Sequence, residues 1–488
     1  MTVAGLLERN ARERADRPAL GGELDSNMLT WAEVAASTRS VGAQLRDRGL
    51  GEGDRVALAV PNGRSFPLLY LATLQAGLTV VPLNPLVPSR EAENLLRLSQ
   101  PHAAIVDTQA TSLDWSALLG SVPSNQIRVG SGAPLDFYGP YAPQRAFSGL
   151  AELLFTSGTT GSPKGVGLTE AQLLATASEI QKAHRLTPDD ICFSPLPVYH
   201  INAEVVGVLS TLLSGGSLVV AKKFSASGFW DAIERHHATW VTAVPPILTI
   251  LTGRGATPGA PFGLRFIRSA SAPLPVPILR EFEEIFGIPV IETYGLTEAG
   301  SQVAANPLPP GLRKPGSVGL PRGCEIRVLD DDGTEVPRGV KGEISVRGRG
   351  VITRYAVGGE SSFRDGWFLT GDIGHMDEDG YVFITGRRTD IINRGGQKVA
   401  PREVEEVLLT HPLVLDVAVS GVPDPVLGQR VAAWVILGKA IGEEEAREAI
   451  RAYAKERLSG YKRPEDIFFV DELPKNQAGK VKRHLLHG

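Results

Sequence analysis

Short apolar runs and amphipathic stretches alternate along the chain. Residues 55–60 (RVALAV) form an almost unbroken apolar run and read as a buried strand, and residues 65–76 follow with helical spacing. Residues 78–82 read as a strand, 89–99 as a helix and 103–106 as a strand again. The rhythm returns at 217–221, 228–237 and 239–244. Strands alternating with helices predict an α/β fold, its parallel sheets covered on both faces. The last hundred residues repeat the pattern on a smaller scale. Pro401 opens a helix (PREVEEVLLTH), where a proline fits the first position. Residues 414–420 and 430–437 read as strands, 443–458 as a charged amphipathic helix and 467–470 as a final strand. A boundary near 388–390 divides the chain into a domain 1–388 and a domain 389–488.

Length supports this division, because 488 residues exceed the roughly 250–300 that one core serves. Hydrophobic residues make up 42% and charged residues 21%, which argues against disorder. With a net charge of −4, nothing calls for nucleic acid or an anionic membrane as partner. The N-terminal stretch carries Glu8, Glu13 and Asp16 and reads as an amphipathic helix, not a secretory signal. No apolar run approaches the roughly 20 residues of a membrane span. Cys192 and Cys324 stand in no paired spacing, which fits a reducing cytoplasm, and the C-terminus is no peroxisomal address.

The chemistry concentrates first at Thr156-Ser157-Gly158-Thr159-Thr160-Gly161-Ser162-Pro163-Lys164-Gly165. It follows a strand at 152–155 and precedes a helix near Thr169. Glycines let backbone N–H groups converge on an anion, hydroxyls donate further bonds and Lys164 adds charge, a composition suited to a polyphosphate. The lysine lacks the glycine spacing of a Walker loop. Four further motifs follow in order: Tyr294-Gly295-Leu296-Thr297-Glu298, Thr370-Gly371-Asp372, Gly386-Arg387-Arg388-Thr389-Asp390 and Pro474-Lys475-Asn476-Gln477-Ala478-Gly479-Lys480. Taken alone, Thr297-Glu298 is a helix cap with a first-turn acid, Asp372 a turn residue, Arg387 a surface arginine and Lys480 a solvated lysine.

Together these motifs resemble, over essentially the whole chain, the adenylate-forming superfamily of acyl-CoA synthetases, peptide-synthetase adenylation domains and beetle luciferases. The resemblance implies a large domain of parallel and mixed sheets flanked by helices, with a small mobile α+β C-terminal domain. It implies activation of a carboxylic acid by ATP to the acyl-AMP with release of pyrophosphate, then thioester formation with coenzyme A. By the same resemblance Glu298 is the Mg²⁺ ligand and Thr297 helps hold phosphate; Asp372 binds ribose, with Arg387 beside it. Tyr294, in the run Glu292-Thr293-Tyr294-Gly295, stacks on adenine, while Ala270-Ser271-Ala272 runs along the adenine edge. The family more often has glycine in that last loop, so Ser271 is a departure. Lys480 reaches the site when the small domain closes and offsets charge at the α-phosphate. His200 stands beside the acyl pocket; the carboxylate nucleophile is already ionised near neutral pH and needs no general base. Thr389 and Asp390 fall at the hinge, and Arg394, Gly395 and Gly396 at the pantetheine tunnel.

Segments from Phe224 through Trp230, from Ala238 through Pro245 and from Phe266 through Ala272 resemble plant and fungal oxalate–CoA ligases. So do the runs from Asn306 and from Lys314. That subfamily has histidine three residues after the Mg²⁺ glutamate, where this chain has Ser301. Asn202, Ser269, Ser271, Ser301 and Gln302 could form a neutral polar pocket, and Arg268 could pair a second carboxylate or serve the strand end. A small or polar acid is expected. Three other readings share these motifs: an adenylating enzyme that loads a carrier-protein thiol, a non-catalytic nucleotide-binding protein, and a light-emitting oxygenase.

Overall fold

The computed structural model describes residues 1–488 except 26, 112, 120–124, 131, 142–146, 157–162, 256–262, 360–361, 439–440, 476–480 and 487–488. Its backbone is a nine-stranded sheet, a seven-stranded sheet and two five-stranded sheets. The centre of the nine-stranded sheet is parallel: Pro18–Gly22, Ser217–Val220, Ile191–Ser194, Trp240–Ala243, Phe266–Ser269 and Val290–Leu296 lie side by side. Antiparallel strands Ser301–Ala305 and Leu320–Pro321 extend one edge. The seven-stranded sheet has Ala103–Val106, Arg55–Ala59, Thr79–Pro82 and Glu152–Thr156 in parallel at its centre.

Helix Ser65–Gln75 (SFPLLYLATLQ) is buried along nearly its whole length, as its all-round apolar sequence requires. It belongs to a large core cluster that joins residues of both large sheets, among them Val56 and Ile105 of one and Leu218 and Trp240 of the other. Helix Glu170–Ala183 starts at Thr169, where a capping box with Gln172 satisfies the first amides in both directions. The third sheet of the large domain, strands Cys324–Leu329, Gly342–Gly348, Phe363–Arg364, Trp367–Met376 and Val382–Arg387, is antiparallel.

A sheet of Gln397–Val399, Ile392–Arg394, Gly428–Leu437, Val414–Asp424 and Asp466–Phe469 forms the smaller C-terminal domain. Helices Pro401–Leu408 and Glu443–Arg457 cover it and close a separate core around Val404, Leu408, Val431, Val435 and Ile450. The predicted elements appear with small shifts at their ends; Ser89–Ser99 and Ala103–Val106 coincide with expectation. The helix expected near Thr169 is present, and before it Lys164–Leu168, which the pattern did not mark, returns as an antiparallel strand on Glu152–Thr156. No helix among the described residues is long and apolar enough to cross a membrane.

Candidate active site

The motif residues gather where ligands collect in such sheets, beyond the carboxyl ends of parallel strands. Strand Glu152–Thr156 delivers Thr156 and Phe266–Ser269 delivers the Ala270-Ser271-Ala272 turn; Val290–Leu296 ends in Tyr294 and Gly295, and the Thr297–Ala299 turn follows. Ser157, Gly158, Thr159, Thr160 and Gly161 of the loop, and Lys480, lie outside the described residues.

Asp372 and Arg387 stand directly opposite each other on neighbouring antiparallel strands, the arrangement in which cross-strand charges meet. Arg387 Nε is 2.7 Å from Asp372 Oδ1, and the Tyr294 hydroxyl donates to Asp372 Oδ2 at 2.5 Å. Burial first, then the Asp372 charge, pushes the Tyr294 phenol well above its ordinary range, so it remains a donor. Burial opposes the Arg387 charge, but Asp372, Tyr294, Glu298 and Asp390 together raise its pKa.

Glu298 joins this corner to the phosphate loop through a residue that the motifs had not singled out. The Tyr355 hydroxyl donates to Glu298 Oε1 at 2.8 Å, and Lys164 Nζ lies 5.1 Å above the Tyr355 ring. Lys164 Nζ also donates to Ser362 Oγ at 3.3 Å, while Gly165 N donates to Val357 O at 2.9 Å. Tyr355, Val357 and Ser362 thus hold both the lysine and the acid in place. Tyr355 is an aromatic in an unpatterned loop, and no spacing in the sequence could have marked it. Glu298 is a single carboxylate, and no group of three or more His, Cys, Asp or Glu side chains that could hold a metal exists among the described residues. One carboxylate beside phosphate oxygens is the donor set Mg²⁺ accepts.

The candidate acyl residues lie on the other side of Tyr294. Asn202 opens a π-helix, Asn202–Leu209, a form often found at functional sites. Its Oδ1 accepts from Arg268 Nη1 at 2.9 Å and its Nδ2 reaches Ser271 Oγ at 3.5 Å. Arg268 Nε donates to Gln302 Oε1 at 3.2 Å. Ser271 and Ser301 have φ of 73° and 103°, a region non-glycine residues avoid, so the backbone is strained at two of these positions. Ser269 Oγ is buried without a partner. His200 stands in edge contact with Tyr199, ring centroids 4.9 Å apart. His200 is exposed at the surface, yet desolvation by the atoms packed around it lowers its pKa to about 4, so it is neutral near pH 7.

Two predicted nucleotide residues point elsewhere. Glu292 accepts from Gly316 N at 3.3 Å, and burial, only partly offset by Arg402, pushes its carboxyl up to about 8. The Thr293 hydroxyl donates to Ser269 O at 3.3 Å. Arg394, Gly395 and Gly396 form a tight hairpin turn within the small domain: Arg394 pairs with Gln397, and the glycines have φ of 57° and 85°. Two successive positive φ values make glycines there the natural choice. The hinge candidate Asp390 is held by Arg483 at 3.1 Å.

The AMP-binding enzyme family model matches residues 7–356, and the model of the AMP-binding enzyme C-terminal domain matches residues 403–480. The chain is 39% identical to the sulfoacetate–CoA ligase of Cupriavidus necator, over 99% of this chain and 96% of that protein. It is 36% identical to the oxalate–CoA ligase of Arabidopsis thaliana, over 99% and 98%. Its fold superposes on the crystal structure of ATP-bound MatB from Rhodopseudomonas palustris with a TM-score of 0.86 at 32% identity, covering 99% of this chain and 98% of that one.

Proposed function

The chain belongs to the AMP-binding enzyme family as an AMP-forming acid–CoA ligase, and from that premise we propose that it activates a small, polar carboxylic acid in the cytoplasm. The observation that carries the reading is that two contact groups, Lys164–Tyr355–Glu298 and Arg387–Asp372–Tyr294, come together, with the Glu298 charge felt at Arg387. Cationic, acidic and aromatic groups from separate segments meet there, as a nucleoside triphosphate requires.

In this reading Thr156, Lys164, Thr297 and the loop Ser157–Gly161 hold the phosphates. Asp372 exchanges its present contacts with Tyr294 and Arg387 for the ribose hydroxyls, which frees the Tyr294 ring to lie against adenine beside Ala270, Ser271 and Ala272. Glu298 would hold Mg²⁺, which supplies positive charge to the phosphate oxygens. An oxygen of the substrate carboxylate bonds to the α-phosphorus, the bond to the β-phosphate bridge breaks, and pyrophosphate departs. Two anions must approach, so the protein's part is alignment and charge neutralisation by Lys164, Arg387 and Lys480. Residues 389–488 then turn about Thr389 and Asp390, and Arg394, Gly395 and Gly396 line the path of the CoA thiol. The sulfur bonds to the acyl carbon, the bond to AMP breaks, and the thiol proton passes to solvent. His200, Asn202, Ser269 and Ser301 line the acyl pocket. Glu292 and Thr293 act through the strand that carries Tyr294.

Acid-dependent release of pyrophosphate over a panel of short acids, with and without CoA, tests this. One acid should stand out, and CoA should raise turnover and yield its thioester. Acid-dependent release that CoA leaves unchanged would move the acceptor to a carrier-protein thiol; no release with any acid would sink the reading.

A further inference from the structure

Arg268 is 1% exposed, at the inner end of strand Phe266–Ser269, and among the described residues no carboxylate pairs with it. Its acceptors are two neutral amide oxygens, Asn202 Oδ1 at 2.9 Å and Gln302 Oε1 at 3.2 Å. The same Gln302 oxygen lies 3.2 Å from His184 Nε2, and burial together with Arg268 keeps His184 neutral, at a pKa of about 3. Cys192 is buried in the same layer, and desolvation raises its thiol. A guanidinium is therefore enclosed by uncharged groups. Burial lowers its own pKa to about 9, which leaves it charged at neutral pH.

An enclosed cation without an anion is costly, and proteins usually replace it or pair it. Here it does something specific. Because Arg268 holds Asn202 Oδ1, the amide can only present its N–H groups on the opposite side, toward Ser271. The Asn202 Nδ2 contact with Ser271 Oγ is long, 3.5 Å, so this donor remains available. Ser269 Oγ and Gln302 Nε2 are also buried and without partners among the described residues. The cluster thus combines a buried positive charge with two polar groups that have no partner and one weakly engaged amide donor.

We propose that Arg268 is a specificity-determining residue that acts through Asn202: it orients the amide and sets a positive potential so that the acyl pocket selects acids with a second anionic group, carboxylate or sulfonate, at the far end. The inference rests on the assignment of Asn202, Ser269 and Ser301 to the acyl pocket. A distal anion supplies the counter-charge the cluster lacks and accepts from the free donors. A neutral-ended acid of the same length leaves both unmet.

The test compares malonate and sulfoacetate with butyrate in the wild type, Arg268→Met and Asn202→Asp, with circular dichroism to confirm folding. In the wild type the anionic acids should have the higher kcat/KM. In Arg268→Met the ratio of anionic to neutral acid should fall on the order of 10- to 100-fold, the worth of hydrogen bonds to a charged group. Asn202→Asp provides Arg268 with an internal counter-ion and should lower the ratio as far while keeping the arginine. A purely structural role would depress all three acids together and leave the ratio unmoved, and that result in both folded variants overturns the proposal. So does a wild type that prefers butyrate. The malonate and sulfoacetate arms separate carboxylate from sulfonate as the favoured end group. Calorimetric binding of the same acids keeps the two readings apart: binding of dianions that is lost in Arg268→Met, without any thioester product, sinks the ligase reading and sustains this one.

Discussion

The π-helix Asn202–Leu209 carries one residue of each of two buried ionisable clusters, and they differ in sign. On one side Asn202 contacts Arg268, a cation enclosed by amides. On the other, Glu204 lies beside Glu152, both 0% exposed, with the Tyr70 hydroxyl donating to Glu152 Oε2 at 3.1 Å. Neither Glu204 oxygen has a hydrogen-bond partner among the described residues. Desolvation raises both carboxyls, and for Glu204 the neighbouring Glu152 charge raises it further. A carboxylic acid can shed its buried charge by keeping a proton, and burial pushes both of these toward doing so. A guanidinium cannot: it stays charged at neutral pH wherever it is placed. An acid pair that can go neutral can be buried between strand Glu152–Thr156 and the π-helix without a counter-ion. A cation that must stay charged is useful only if a ligand completes it.

The largest effect should come from removing the cation. Arg268→Met loses selectivity for distal anions as argued above, yet without ligand it should be no less stable than the wild type, and up to ~2 kcal/mol more stable, since a hydrophobic side chain replaces an uncompensated charge. Chemical denaturation without substrate checks this. A loss of several kcal/mol would mean that the arginine holds the layer together and is structural after all.

The acid pair should reveal itself by pH. Its carboxyls have folded pKa values above their unfolded ones, so the native state holds protons that the unfolded chain has released. That contribution is fully present below the unfolded carboxyl range and is lost as pH rises toward the folded pKa. Each retained proton lowers stability by roughly 1.4 kcal/mol per pH unit in that window. Glu204→Gln keeps the shape of the side chain and removes the group that must hold a proton. The stability difference, variant minus wild type, should therefore grow in the variant's favour between about pH 5 and pH 7. Parallel curves for the two proteins would contradict a retained proton at Glu204. Tyr70→Phe should be milder, about 1 kcal/mol lost with one hydrogen bond, and should raise the Glu152 pKa further.

Neither cluster was legible as such in the sequence. Arg268 was weighed as a partner for a second carboxylate, but what distinguishes it, the absence of an acid, depends on residues 66 and 34 positions away. Tyr70, Glu152 and Glu204 come from three separate elements. The corner of Tyr294, Asp372 and Arg387 drew notice because its residues sit in compact motifs whose order carries the resemblance. The strand Lys164–Leu168 (KGVGL) was missed because two glycines mask it. The structure gives their reason: a Cβ at Gly167 would lie 2.6 Å from Leu150 and one at Gly165 would lie 3.0 Å from Val357, the residue that helps anchor Tyr355 and Lys164. The small domain was read most completely, since its alternating strands and charged helix keep clean periodicities around one core.

The smallest effect should come from a charge pair that is not buried. Lys398 Nζ lies 3.1 Å from Asp331 Oδ2 and joins the small domain to the large one, with side chains 72% and 70% exposed. Water solvates both partners before and after the contact forms, and holding two mobile side chains together offsets most of the attraction. Arg388 also reaches Asp331, at 2.8 Å, so the aspartate keeps a partner if the lysine goes. Lys398→Ala should leave the unfolding midpoint unmoved within error at physiological salt, and any shift should vanish as salt is raised. A loss comparable to that of Tyr70→Phe would mean that this exposed contact shares the dry environment of the two inner clusters, and the distinction drawn between buried and surface charge would fail at the domain boundary.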